Sequence, residues 1–221
     1  MGAPPETAVL PDWGQGEQSK GTSNISPGYV AAAVVAATSL VAGLLTGMLL
    51  LFVAVDVAGI AAGIWWSSGA AARGLRSLGA SPISEGGSPR LANVVGGLAS
   101  DLGIEPPSLW TLDEPEPNAA VTGGSKPSLA VTAGLLAAYT RTELEAVVAH
   151  SLARIIRSSG SSIPPLGLAD DVAAAAVTRY PPALASAVKK ASPRGDGGGL
   201  RWFVPDGGPA PDVRAHEVLD L

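Results

Sequence analysis

Between Tyr29 and Trp66 the chain runs for 38 residues with a single charged side chain, Asp56. A segment this apolar has to be hidden from water, either in a bilayer or in a core element unusually large for such a chain. As one helix it would extend about 57 Å at ~1.5 Å per residue, nearly twice the ~30 Å hydrocarbon core. Two short helices joined near Thr46-Gly47 fit that thickness better, so a transmembrane hairpin over residues 29–66 is the expectation and one long span the alternative. Trp65 and Trp66 suit the headgroup level. Arg73 and Arg76 are the next basic residues, which predicts that the folded part lies in the cytoplasm. Asp56 reads as a residue close to an interface or facing the second helix, in preference to a functional intramembrane carboxylate.

Composition points the same way. Charged residues make up 15% of the chain, against roughly 25% in a typical soluble domain, and the mean hydropathy is +0.31. With 14 basic and 19 acidic side chains the net charge is -5, which leaves no electrostatic footprint for nucleic acid. Cysteine is absent, so there is no disulfide framework, thiol nucleophile or thiolate metal site. Residues 1–28 are polar and rich in Gly and Pro, and are expected to form a disordered tail. Glu6, Asp12 and Glu17 stand there against Lys20 alone, which does not make the basic region of a secretory signal. Residues 77–88 read as a linker, and residues 191–221, with their GDGGG and DGGPAP runs, as a flexible C-terminal tail.

The segment between them carries the structural signals. Leu91, Val94, Val95, Leu98 and Leu102 recur at helical spacing within Pro89–Leu102. SLWTL at 108–112 and LAVT at 129–132 are β-prone runs on either side of turn-rich material at 113–127, and are expected to be neighbours in a short antiparallel sheet. Residues 134–139 suggest a short helix. Thr140-Arg141-Thr142-Glu143 is a capping box. It opens a helix whose stripe is Leu144, Val147, Val148, Ser151, Leu152 and Ile155, with Gly160 marking its end. Two further helices are expected over 170–177 and 182–190, separated at Tyr180-Pro181.

Three pieces in order, PEPNAAVTGG, then LAVTAGLL, then ELEAVVAH, together with DDVAAAAVTRYPPALASAVKKA further on, resemble the membrane zinc metallopeptidases of the HtpX and CAAX prenyl endopeptidase type. The resemblance implies an α+β chain: an N-terminal transmembrane helix hairpin followed by a truncated zincin-like peptidase domain over residues 89–190. It also implies zinc, held by the two histidines of H-E-x-x-H on one helix face while the Glu activates the bound water. Here that segment reads His150-Ser151-Leu152-Ala153-Arg154. His150 matches the first ligand. Ser151 stands in place of the general base, and a hydroxyl cannot do a carboxylate's work near neutral pH. Arg154 stands at the second ligand position with no lone pair to give. The third ligand, a Glu in the family's E-x-x-A-D pattern, falls on Leu166 or, in the other register, Gly167, and neither binds metal.

Other chemistries are weaker. Ser151 beside His150 is not a nucleophile and base, because adjacent helical side chains point ~100° apart. Gly123-Gly124 and Gly197-Gly198-Gly199 lack the spacing and the lysine of a phosphate loop. His216 reads as a solvated tail residue. The expectation is therefore a membrane-anchored pseudopeptidase without a cofactor, engaging the membrane and a polypeptide or membrane-protein partner. The alternative is a residual zinc metalloendopeptidase with ligands recruited from Asp170, Asp171 or His216.

Overall fold

A computed structural model describes residues 33–39, 41–42, 49–68, 70–84, 86–124, 126–158, 163–196 and 199–221. Two compact units divide the chain at Ala62 and Gly63. In the first, residues 33–39 are helical and helix α1, Leu49–Ser68, begins. Along α1, Leu50, Val55, Val57 and Ile60 are all exposed, the all-round apolar surface of a helix that water does not favour. Among the described residues no helix is long and apolar enough to cross a membrane. The hairpin expected over 29–66 is thus not seen, and its expected break at Thr46-Gly47 lies outside the described residues.

The second unit is a five-stranded sheet with helices on both faces. Its elements are α2 Ala70–Ser77, β1 Ser81–Pro82, α3 Pro89–Asp101, β2 Ser108–Leu112, β3 Ala119–Thr122, β4 Ser128–Thr132, α4 Ala133–Ala138, α5 Arg141–Ile156, α6 Leu168–Thr178, α7 Pro181–Lys190, β5 Leu200–Trp202 and α8 Pro211–Leu219. The strand order is β1-β2-β4-β3-β5. The runs at 108–112 and 129–132 are neighbours as expected, but β2 and β4 pair in parallel, Trp110 opposite Ala130. The antiparallel partner of β4 is β3, which in turn pairs antiparallel with β5. The expected short antiparallel sheet is therefore a mixed one, because a strand hidden in the turn-rich segment returns the chain before β4 begins.

Asn118 explains how that segment holds a strand. It is fully buried. Its side-chain amide donates to the carbonyls of Ser192 and Val204, and its side-chain oxygen accepts from the amides of Ala119 and Val204. Every hydrogen-bonding direction of the side chain is used, and three of its four bonds fasten β3 to the segment around β5. Close by, a Cβ on Gly134 would sit 1.9 Å from the Pro115 carbonyl oxygen, so only glycine lets the 113–118 loop lie against the start of α4.

Strands β3 and β4 are buried throughout. On one face they meet Leu144, Val147, Val148 and Leu152 of α5 together with Leu91 and Val95 of α3. On the other, Trp110, Ala130, Leu200 and Trp202 meet Leu75 and Ala80. Two covered faces account for the unbroken apolar run of LAVT, where a half-exposed strand would alternate. Residues 77–88, expected as a linker, contribute β1. Residues 191–221, expected as a flexible tail, contribute β5 and α8, with Phe203, Val204, Ala215 and Val218 in the core.

The capping box forms as its sequence requires. Thr140 Oγ1 accepts from the Glu143 amide at 3.3 Å and the Glu143 carboxylate accepts from the Thr140 amide at 2.8 Å. Helix α5 stops at Ile156, with Arg157 as its cap, while Gly160 lies outside the described residues. Glu143 does more than cap: it also accepts from Ser186 Oγ at 2.5 Å and pairs with Lys190 Nζ at 2.8 Å, joining α5 to α7. Burial alone would raise its pKa, but hydrogen bonds from Lys190, Ser186 and Thr140 outweigh it and bring the carboxyl from 4.5 to about 2. Because folding lowers this pKa, the unfolded chain takes the proton first on acidification, so the stabilisation is complete above about pH 4.5 and is lost as pH falls towards 2. Glu143→Gln is expected to destabilise the domain by about 2 kcal/mol at pH 7 and by progressively less below pH ~4.5, read from denaturant unfolding across pH.

Candidate functional site

Helix α5 places His150 and Arg154 one turn apart on the same face, and the fold brings α6, α8 and β5 to that face. His150 is fully buried. Its Nδ1 lies 3.0 Å from Asp171 Oδ1 on α6, a close charge contact without a directed hydrogen bond, and its Nε2 has no hydrogen-bonding partner among the described residues. The ring meets Phe203 edge-on at 5.1 Å between centroids.

Asp171 belongs chiefly to another residue. Arg214 of α8 grips it with a fork, Nε to Oδ2 at 2.8 Å and Nη2 to Oδ1 at 2.6 Å, and donates from Nη1 to the Phe203 carbonyl at 2.6 Å. Both side chains are 3% exposed. Burial by itself would raise the Asp171 pKa, yet the Arg214 fork, helped by His150, holds the carboxyl well below the usual range. His150 is shifted the other way: burial lowers its pKa, Asp171 opposes this, and the charges of Arg214 and Arg154 add to the lowering. The imidazole is therefore kept neutral beside a firmly ionised carboxylate.

Arg154 is also buried. Nη1 donates to the Trp202 carbonyl at 2.9 Å and Nη2 to the Pro164 carbonyl at 3.1 Å, while Nε lies 3.9 Å from Asp170 Oδ2. Asp170 is held in turn by Arg157 at 2.5 Å and accepts from the Gly167 amide at 3.3 Å. Burial lowers the pKa of Arg154, but a guanidinium of this kind stays protonated in a protein. Ser151, buried next to His150, donates to the Val147 carbonyl of its own helix at 2.7 Å. That bond turns its hydroxyl back along α5.

Of the residues singled out from the sequence, His150 and Asp171 are brought together, with Arg154 and Asp170 alongside. Leu166 is half-buried and Gly167 serves as the N-cap position of α6, and neither adds a donor. His216 sits on the exposed side of α8, 4.0 Å from Asp220. Among the described residues no group of three or more His, Cys, Asp or Glu side chains converges as a metal would need. The donors that are present do not suit zinc. Asp171 is engaged by Arg214, two guanidiniums carry positive charge into the site, and a lone imidazole nitrogen falls short of the three protein ligands that even an open zinc site uses. Sequence reading missed Arg214 altogether. Its one signal was an arginine set beside Ala215 and Val218 on the inward stripe of a short amphipathic helix.

No family model matches the chain. The chain is 41% identical over 83 residues to a protease HtpX homolog of Acidiphilium cryptum, 37% of this chain and 29% of that protein. A protease HtpX homolog of Tropheryma whipplei matches at 36% over 119 residues, 52% of this chain and 40% of the relative. One from Pelotomaculum thermopropionicum matches at 42% over 76 residues, 34% and 27% respectively. Over these stretches the chain is similar to protease HtpX homologs. The chain spans well under half the length of these relatives, and Arg154 stands where the resemblance implies a zinc-binding histidine. Replacing Arg214 by Met leaves Asp171 ionised and unpaired, and is expected to cost about 3–5 kcal/mol of stability. Adding Asp171→Asn should recover part of that loss, measured as a double-mutant cycle in denaturant unfolding.

Proposed function

We propose that this chain is a membrane-anchored pseudopeptidase: it keeps an HtpX-like scaffold, does not cleave, and acts by binding a polypeptide or membrane-protein partner. The observation that carries the reading is Arg154. At the position where the resemblance implies a zinc-binding histidine, a permanent cation turns inward and donates from Nη1 and Nη2 to backbone carbonyls. Ser151 supports it from the neighbouring position, since its hydroxyl is committed to Val147 and no carboxylate replaces the missing base. In the same reading the folded part is a truncated zincin-like domain, residues 29–66 insert as a hairpin, and the domain faces the cytoplasm beyond Arg73 and Arg76. The exposed apolar side chains of α1 support the membrane anchoring in this reading.

The second reading, a residual zinc metalloendopeptidase, draws on the unpartnered Nε2 of His150. The two part in a metal analysis. Detergent-purified protein is expected to carry well under one equivalent of zinc and to leave casein uncut. Stoichiometric zinc that survives dialysis and disappears on His150→Ala would establish the second reading instead.

Orientation is tested separately. Reporter fusions after residue 20 and after residue 221 should both report the cytoplasm for a hairpin. A single span would place the first outside and keep the second inside, and an outward C-terminal reporter would overturn the cytoplasmic assignment.

A further inference from the structure

Arg154 ties together segments that lie far apart in the chain. Its guanidinium, 2% exposed, reaches from α5 to the Trp202 carbonyl on β5 and to the Pro164 carbonyl ahead of α6. A metal held at positions 150, 154 and 166 or 167, as the resemblance implies, would tie α5 to that same segment ahead of α6. A cation built into the chain makes this connection and adds β5 to it.

The contact with Trp202 has a second consequence. Phe203 donates its amide to the Ala119 carbonyl at 2.7 Å, which makes these two the bonded pair of the ladder and turns the N–H and C=O of Trp202 away from β3. Both outward groups are taken. The amide donates to Asp196 Oδ1 at 2.9 Å and the carbonyl accepts from Arg154. At the opposite edge of the sheet lies β1, two residues long and ending on Pro82, which has no N–H to offer.

We infer that Arg154 is an internal substitute for the metal, cross-linking α5 to the segment before α6, and that the same side chain closes the outer edge of β5 against an added strand. The site is sealed by the chain itself, and a partner polypeptide engages a surface other than this sheet edge. The inference rests on reading the site as metal-free, but its readouts are stability and hydrogen exchange, so it can fail alone. An Arg154→Met protein as stable as the parent, with β5 equally protected and still no zinc, would sink the seal and leave the pseudopeptidase reading standing.

The test uses the full chain in detergent micelles. Thermal unfolding of the parent is expected to be unmoved by EDTA or by excess zinc chloride. Arg154→Met should lower the midpoint by about 6 °C or more. Arg154→His, which restores a ligand on paper, should fall similarly and should not regain the parent midpoint with zinc. In hydrogen exchange, amides 200–204 should speed up about tenfold in Arg154→Met while those of β4 keep their rates. If Arg154→Met does not fold, Arg154→Lys, which keeps the charge but loses the fork, should show the same selective exposure of 200–204. A midpoint drop of the parent in EDTA, full rescue of Arg154→His by zinc, or unchanged protection of 200–204 in the folded variant would each overturn the inference.

Discussion

A guanidinium cannot shed its proton inside a protein, so a fold that hides one must surround it with acceptors. This chain hides two. Arg214 takes both oxygens of Asp171 and the Phe203 carbonyl, while Arg154 takes the carbonyls of Trp202 and Pro164. Trp202 and Phe203 are consecutive, so two arginines from different helices fasten the same short strand. The position of β5 is thereby coupled to α5 and α8 at once. Losing one partner of such a set strands a charge in the interior, which typically costs about 3–5 kcal/mol, a large share of a domain's net stability.

The same arrangement sets the chemistry at His150. Its imidazole is neutral, packed against Phe203 and beside an aspartate that Arg214 keeps ionised. Protonating Asp171 would break its pairing, so it is a poor base despite being a carboxylate. Ser151 has turned back to its own helix. What remains is a polar network whose members chiefly satisfy one another, with both His150 ring nitrogens and Arg154 Nε the exceptions. Such networks fix one arrangement of the surrounding elements. The similarity to HtpX homologs is confined to part of each relative's length.

Away from the site, a second polar knot does related work. Glu143 binds Thr140, Ser186 and Lys190, so the first turn of α5 is pinned to α7 while its last turn is pinned to β5 through Arg154. The helix that carries the motif is held at both ends. Its middle is packed by Val147, Val148 and Leu152, all fully buried.

Wherever a pattern repeats over several turns, the sequence by itself determined the element. Helices α3 and α5 were legible from periodicity, the start of α5 from the Thr140–Glu143 box, and α6 and α7 as two helical runs separated at Tyr180-Pro181, because these are local signals between near neighbours. The runs that became β2 and β4 were legible as adjacent strands. Their parallel pairing was not, since it depends on β3, and Ala119–Thr122 is too short to show a period and owes its place to Asn118 bonds that reach 74 and 86 residues away. Strand β5 and helix α8 were hidden among glycines and prolines for the same reason. At the site, helical spacing put positions 150 and 154 on one face, and only the resemblance pointed to a metal motif there. Only the tertiary structure decided what those side chains bond to, because the Trp202 acceptor of Arg154 and the arginine that claims Asp171 lie 48 and 43 positions off along the chain, and no local pattern records a bond between residues so far apart.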